Sequence, residues 1–215
     1  MKISYGITVH NESIELERLL TVLNKNIDKE DEIVVCVDGD DESVKKVLDE
    51  CLASWHTDTV YNRKLDGNFA DQKNSVIEKS TGDYIFHIDA DEYPNEVLLQ
   101  QLKRILEMNE VDLIWIPRVN TVDGFTENDV RRWGWRISEQ GWVNYPDYQA
   151  RVFKRDSEIR WTRPLHEVIT GCKTYAHLPP HEELSLYHPK TKEKQEAQNK
   201  FYMDNFSRDL LSREL

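Results

Sequence analysis

The chain has 215 residues, of which 39% are hydrophobic and 32% are charged. This length predicts a single domain, and the composition is that of a globular protein that buries a sizeable core. The net charge of -12 argues against a nucleic-acid partner, because phosphate backbones are bound by basic surfaces.

The cysteines and the N-terminus bear on the cellular compartment. Cys36, Cys51 and Cys172 are odd in number and widely spaced, which indicates neither a disulfide framework nor a zinc site. The first residues run directly into a predicted strand without a signal-peptide pattern, and no apolar stretch is long enough to span a membrane. These features predict a reduced, cytoplasmic protein.

Strands and helices alternate through the first half of the chain. Apolar and β-branched runs predict strands at 3–9, 32–38, 57–61, 84–89 and 111–117. Apolar residues at helical spacing predict helices after residues 13 and 41, over 69–79, and from Pro94 onward. The glycine-rich motifs of dinucleotide sites and P-loops are absent from the sequence. The pattern predicts an α/β fold with a mostly parallel sheet and helices on both faces.

Two aspartates, Asp89 and Asp91, follow the central predicted strand. In an extended strand, residues two apart point to the same side, and the carboxyl ends of parallel strands are where open α/β sheets bind ligands. Paired carboxylates there favour a divalent cation that joins the protein to a diphosphate. The alternative is a polar loop in which Asp91 or Glu92 begins the next helix.

The pattern becomes irregular after Val119. Trp133 and Trp135 lie among arginines in this part, which suits either a surface that stacks on sugar rings or a core closed under a long loop.

Regular elements return towards the C-terminus. Short strands at 148–154 and 158–161 are predicted to form a hairpin, and a last strand follows at 184–188. Residues 190–215 predict a charged helix on the outside of the domain, packed on its own domain or on a partner subunit.

Several short motifs occur in a characteristic order. They are Ile7-Thr8-Val9-His10-Asn11-Glu12, Val35-Cys36-Val37-Asp38-Gly39-Asp40-Asp41, Phe69-Ala70-Asp71-Gln72-Lys73-Asn74, Thr81-Gly82-Asp83-Tyr84-Ile85, Asp89-Ala90-Asp91-Glu92, Gln149-Ala150-Arg151-Val152-Phe153-Lys154, Ile159-Arg160-Trp161 and His166-Glu167. With these motifs the chain resembles the inverting glycosyltransferases of family 2, which have the GT-A fold. The resemblance extends to about His188. It departs at Lys73, where the family often has arginine, and in the second-strand motif that begins at Asp38.

The resemblance implies how one GT-A domain over 1–215 is organised. Residues 1–118 would form the nucleotide-sugar-binding half, residues 119–189 the acceptor and catalytic half, and residues 190–215 the C-terminal helix. Thr8 and His10 would lie beside the nucleotide base.

The other nucleotide contacts follow from the same resemblance. Asp38 would accept a hydrogen bond from the uracil imide, which is a sound pairing of acceptor and donor. Lys73 would pair with the diphosphate, with Asp89 beside it. Solvent exposure is the alternative for Lys73, because it is a helix residue.

The implied cofactor is Mn²⁺ or Mg²⁺, held mainly by Asp91 with Asp89 nearby. His188 best matches a histidine that some relatives supply as a further ligand. The alternative for His188 is an ordinary surface histidine, and His177 and His181 fit less well because they flank a loop with two prolines.

Inverting transfer also implies a general base that deprotonates the acceptor hydroxyl. Glu167 is the first candidate and Asp147, on the acceptor side, is the second. The alternative role for Glu167 is a salt bridge with Arg163 or another local cation. Trp133 and Trp135 would form part of an acceptor-side wall or of a lid over the donor.

The predicted function is metal-dependent, inverting transfer of a hexose from a UDP-sugar to an acceptor hydroxyl. The acceptor is a glycan, a lipid-linked sugar, a protein or a small molecule, and a homodimer is one arrangement. A catalytically inactive sugar- or nucleotide-binding module of the same fold is the main alternative. A nucleotidyltransferase is disfavoured because no glycine-rich phosphate loop follows the first strand. A membrane-bound synthase and an interaction scaffold are disfavoured too.

Overall fold

The computed structural model describes residues 1–52 and 59–206. The first half contains β1 (Ile3–Val9), α1 (Ser13–Asn26), β2 (Glu32–Val37), α2 (Glu42–Leu52), β3 (Thr59–Asn62), α3 (Phe69–Lys79) and β4 (Tyr84–Asp89). These elements confirm the predicted alternation of strands and helices. Residues 57 and 58 of the predicted third strand lie outside the described residues.

The second half has shorter and more varied elements. They are β5 (Tyr93–Pro94), α4 (Glu96–Asn109), β6 (Leu113–Ile116), β7 (Arg118–Asp123), α5 (Glu127–Trp133), β8 (Gln149–Lys154), β9 (Arg160–Thr162), β10 (Val168–Thr170), β11 (Tyr175–His177), a 3-10 turn (Glu182–Leu184), β12 (Leu186–Thr191) and α6 (Lys192–Asn205).

A seven-stranded sheet organises the molecule, in the order β11-β6-β8-β4-β1-β2-β3. Neighbouring strands are parallel except for β8, which runs antiparallel to both β4 and β6. The chain passes from β1 outward to β2 and β3, and then returns to the other side of β1 as β4. Ligands bind outside the carboxyl ends of strands where such a sheet reverses direction, and here that point lies between β1 and β4.

Helices cover both faces of this sheet because alternate strand residues are apolar on each side. Ile3, Tyr5 and Ile7 of β1 pack in the core with α1, α2 and α4. On the opposite face α3 contacts β1, β2 and β9. Gly6 allows this approach, since a Cβ at that position would lie 2.4 Å from Val76 Cγ1. The predicted α/β class is confirmed.

Two predictions of local structure were wrong. Pro94 does not begin α4, because it pairs with Leu186 of β12 and the side chain of Asn95 caps the helix at Val97 N. The predicted hairpin at 148–161 is absent: β8 enters the central sheet, and β9 pairs instead with β10. Both errors come from pairings with distant residues, which local patterns do not reveal.

The C-terminal helix α6 packs on its own domain, through β12 and β7. Its ring contacts reach further, because Tyr202 lies edge-on to Phe69 with centroids 6.5 Å apart. Residues 207–215 of the predicted helix lie outside the described residues. No helix in residues 1–52 and 59–206 combines the length and hydropathy needed to cross a membrane.

Candidate active site

One large cleft opens at the carboxyl ends of β1, β2 and β4, with a volume of about 1570 Å³. This exceeds the roughly 300–1,000 Å³ of a typical small-molecule site. The predicted site residues that line it are Thr8, His10, Asp38, Lys73, Asp89, Asp91, Trp135, Asp147, Glu167 and His188. The fold therefore brings together all the predicted site residues except Trp133.

One end of the cleft is formed by the ends of β1 and β2. His10 Nδ1 lies 2.7 Å from the backbone oxygen of Asp38 and 3.2 Å from its Oδ2. The other carboxylate oxygen of Asp38 accepts a hydrogen bond of 3.0 Å from the backbone N–H of Leu65. Asp38 is thus fixed through one oxygen, while the second faces the exposed imidazole.

Asp89, at the end of β4, is surrounded by cations and hydrogen-bond donors. Arg151 donates to Asp89 Oδ2 at 2.5 Å, and Lys73 Nζ lies 3.3 Å from Oδ1. Thr8, opposite Asp89 in the β1–β4 register, donates to Oδ1 at 3.4 Å. Burial opposes ionisation of Asp89, but Arg151 and Lys73 outweigh it and hold the pKa of this carboxyl well below its usual value.

Asp91 has a different set of partners. The strand ends at Asp89 and the chain turns, with the backbone N–H of Glu92 donating to the backbone oxygen of Asp89 at 2.9 Å. Asp89 and Asp91 therefore line the same cleft, but not as neighbours on an extended strand. Asp91 Oδ2 lies 3.2 Å from His188 Nε2 and 3.8 Å from Lys190 Nζ.

His188 is a buried residue of β12 rather than a surface histidine. Its Nδ1 lies 2.8 Å from Asn120 Oδ1, which orients the ring so that Nε2 faces Asp91. Burial lowers the pKa of His188, so the imidazole is neutral near pH 7. Its single proton lies on Nδ1, facing the acceptor Asn120 Oδ1, so Nε2 has a free lone pair that can serve as a metal ligand. Among the residues that the structure describes, no group of three or more histidine, cysteine or acidic side chains is arranged around one point.

Glu167 forms a short ion pair with Lys73, so its partner is this lysine and not Arg163. Lys73 is 4% exposed, which excludes the solvent-facing position considered for it. Its ammonium also lies 4.8 Å from the centre of the Trp161 ring. Burial opposes ionisation of Glu167, but Lys73 lowers the pKa of this carboxyl below its usual 4.5.

The segments that carry Lys73 and Glu167 are held by local backbone features. Asn74, next to Lys73 in α3, exchanges hydrogen bonds of 2.8 and 2.9 Å with the backbone of Trp161 in β9. The loop before Glu167 is strained, since His166 has a left-handed φ of 51°. Such backbone strain occurs mainly at functional sites, where the surrounding structure maintains it.

Two arginines continue the network, the buried Arg151 and the partly buried Arg118, and neither was predicted from the sequence to have a role. Glu92 Oε1 accepts hydrogen bonds of 2.7 Å from both Arg151 and Arg118. Arg118 also donates to Asp147 Oδ2 at 2.6 and 2.9 Å, and Asn120 donates to the same oxygen at 2.9 Å. An arginine inside an apolar strand, such as Arg151 beside Val152, was the available signal.

The aromatic wall is only partly as predicted. Trp135 lines the cleft, whereas Trp133 lies behind it, with its ring 4.6 Å from that of Trp135. Trp161 belongs to the core cluster under α3 and also lines the cleft, although it was not predicted as part of the wall. Helix α6 adds a wall that was not predicted, through Gln198 and Tyr202 among others.

The family model described as Glycosyl transferase family 2 matches residues 4–177. The chain therefore belongs to glycosyl transferase family 2, as the motifs predicted. A 1-349 fragment of S. aureus TarS in complex with UDP-GlcNAc superposes with a TM-score of 0.63 at 16% identity, covering 88% of this chain and 59% of that one. This likeness confirms the GT-A fold.

Two curated relatives are similar in sequence. The SPbeta prophage-derived glycosyltransferase SunS of Bacillus subtilis is 29% identical over 133 residues, which cover 60% of this chain and 30% of SunS. The poly(ribitol-phosphate) beta-glucosyltransferase of Bacillus spizizenii is 28% identical over 116 residues, which cover 53% of this chain and 18% of that protein. The chain spans less than a third of the length of these relatives.

Proposed function

We propose that this domain transfers a hexose from a UDP-sugar to an acceptor hydroxyl with inversion, aided by a divalent cation. The proposal rests chiefly on one observation. Asp38, the Asp91–His188 pair and the Lys73–Glu167 pair line a single cleft at the reversal point of the sheet. Asp38 would recognise the nucleotide base, Asp91 and His188 would form the metal and diphosphate site, and Glu167 would be the general base for the acceptor hydroxyl.

Asp91 and His188 are the residues that fit a metal. A carboxylate oxygen and an imidazole nitrogen 3.2 Å apart are suitable ligands for Mn²⁺ or Mg²⁺, with substrate phosphates and water as the remaining ligands. A bound cation would neutralise the leaving diphosphate as a Lewis acid. Asp89 fits less well, because both of its oxygens already face Arg151 and Lys73. We assign to Asp89 the role of holding Lys73 beside the diphosphate.

Glu167 is the better candidate for the general base. It is ionised near neutral pH and has Lys73 as its ion-pair partner, so a second oxygen can accept the proton of the acceptor hydroxyl. Asp147 is occupied, because Arg118, Asn120 and Gln149 all donate to it. We assign Asp147 to the support of the site, and Trp135, backed by Trp133, to the acceptor side.

The first test is thermal unfolding with UDP, GDP or ADP, each with Mn²⁺ or with chelator. A ligand at 100 times its Kd stabilises the folded state by about 2.7 kcal/mol. We expect a UDP-selective rise that requires Mn²⁺ and is lost in Asp91→Asn, but not in the control Asp49→Asn on the exposed side of α2. The absence of a rise with every nucleotide would contradict the proposal.

The second test separates an enzyme from an inactive binding module. We expect Glu167→Gln to keep the UDP-dependent rise and to slow turnover of UDP-sugar by roughly 10²–10⁴-fold, the usual contribution of a general base. Glu158→Gln, at an exposed position, is the matched control. Wild-type protein that binds UDP but neither hydrolyses nor transfers any UDP-sugar would support the inactive module.

A further inference from the structure

The end of β12 and the middle and last turn of α6 contribute a row of polar side chains to the cleft, called the polar row below and formed by Lys190, Gln198 and Tyr202. Lys190 Nζ donates a hydrogen bond of 2.7 Å to Gln198 Oε1. Gln198 Nε2 in turn donates to the hydroxyl oxygen of Tyr202 at 3.0 Å. All three residues line the cleft, so the polar row faces whatever ligand occupies it.

The polar row extends between the two sites of the proposed transfer, the diphosphate site at Asp91 and the general base Glu167. At one end of the row Lys190 Nζ lies 3.8 Å from Asp91 Oδ2, in the proposed diphosphate site. At the other end Tyr202 packs edge-on against His166, the residue before Glu167, with ring centroids 6.2 Å apart. The transferred sugar must lie between the leaving diphosphate and the general base, and the polar row borders that space.

The side chains of the polar row also retain hydrogen-bonding groups that are available to a ligand. Tyr202 accepts from Gln198, and its own proton has no acceptor among residues 1–52 and 59–206. Burial, together with the negative charge of Glu167, raises the pKa of Tyr202 to about 12, so the hydroxyl remains a donor at neutral pH. The ammonium of Lys190 has three N–H groups, and the side chain is only 9% exposed.

We propose that Lys190, Gln198 and Tyr202 form the subsite that binds the hydroxyl groups of the transferred sugar. The subsite rests on the proposed function and deepens it, because it assigns helix α6 to recognition of the donor's sugar. Lys190 and Tyr202 donate to ring hydroxyls, and Gln198 Oε1 has a second lone pair to accept from one. The chemistry suits a neutral pyranose with free hydroxyls, such as glucose or N-acetylglucosamine.

The test compares the Kd of UDP with that of UDP-glucose and UDP-GlcNAc by calorimetry in the full chain. Tyr202→Phe removes one hydroxyl and keeps the ring contact with Phe69. Gln198→Leu removes the side-chain amide and both of its hydrogen bonds. Glu196→Ala, exposed on the same helix and outside the cleft, is the control. We expect each subsite variant to weaken binding of at least one UDP-sugar by roughly tenfold, the value of one hydrogen bond, and to change the Kd of UDP less than twofold.

Other outcomes would overturn the subsite. Equal weakening of UDP and both UDP-sugars would mean that these residues only dock α6, and unchanged binding of all three would mean that they do not contact the sugar. Wild-type protein that fails to bind UDP at all would overturn the proposed function, and the subsite with it. Selective loss in the variants therefore tests the subsite separately from the site as a whole.

Discussion

The two ends of the cleft differ in how their charges are held. At the end proposed to bind the nucleotide base (the base end), the His10 side chain is 61% exposed and Asp38 is 20% exposed. At the end proposed to bind the diphosphate (the diphosphate end), Arg151 is 4% exposed and Glu92 is fully buried. Buried ions are costly to desolvate and are retained only when each one is paired. The base end can therefore change with little effect on folding, whereas the diphosphate end is a preformed ion network on which the fold also depends.

Removal of a buried cation should have the largest effect. Arg151→Met leaves Glu92 with Arg118 alone and takes a cation from Asp89, so we expect the free energy of unfolding to fall by about 3–5 kcal/mol. Urea denaturation measures it. Arg131→Met, which breaks an exposed pair with Glu127, should change stability by less than about 1 kcal/mol. Equal effects of the two substitutions would contradict the comparison.

Acid should weaken the diphosphate end specifically. Arg118 and Asn120 outweigh burial and hold the pKa of Asp147 below its usual 3.8. The ionised carboxylate therefore stabilises the fold above the unfolded pKa, and this contribution is lost as the pH falls below about 4 towards the lower folded pKa. We expect Asp147→Asn to be about 1–3 kcal/mol less stable at pH 7, with the difference narrowing in acid.

Urea denaturation at a series of pH values checks this expectation. Asp123→Asn, at the exposed end of β7, should show no such convergence with wild type. A constant difference between Asp147→Asn and wild type from pH 7 to acid would show that the charge of Asp147 is not what stabilises the network.

At the base end, a substitution should alter specificity more than stability. Asp38→Asn keeps an oxygen for the N–H of Leu65 but places an amide donor where the uracil imide also donates. Cytosine has an acceptor at that ring position. We expect the ratio of UDP to CDP affinity to fall by roughly tenfold or more, measured by calorimetry. A parallel loss of both nucleotides would argue against the assigned pairing.

The smallest effect is expected for His10. Because this side chain is mostly exposed, His10→Ala should leave the free energy of unfolding within about 0.5 kcal/mol of wild type. UDP binding should nevertheless weaken, since His10 lies against Asp38 in the cleft. A large loss of stability would show that the base end is also part of the structural network.

The same contrast decides how much the sequence could predict. The residues of the base end were named from the resemblance to family 2, because Thr8, His10 and Asp38 belong to motifs that stand where two apolar strands end. The nearly continuous apolar runs of β2 and β4 also predicted buried strands, and the burial of both strands confirms this. These features depend on neighbours in sequence, so a short stretch of sequence contains them.

The diphosphate end depends on pairings that no local pattern contains. The contact between Arg151 and Asp89 joins residues 62 apart, and Arg151 reaches it only because β8 enters the sheet beside β4. Trp161 was grouped with the strands of a hairpin, although its backbone is bound by Asn74 from α3. The position of Tyr202 at the cleft was missed because charged neighbours indicated an outer helix.

The antiparallel strand β8 has a consequence for synthesis of the chain. It fills the place between β4 and β6, so the middle of the sheet stays open until residue 149 and those after it have been made. Until then β4 has an unpaired edge, and Asp89 lacks its arginine. Contacts of such long sequence separation slow folding and leave strand edges open to aggregation. The pairing of β8 thus completes the middle of the sheet and brings Arg151 to Asp89 at the same step.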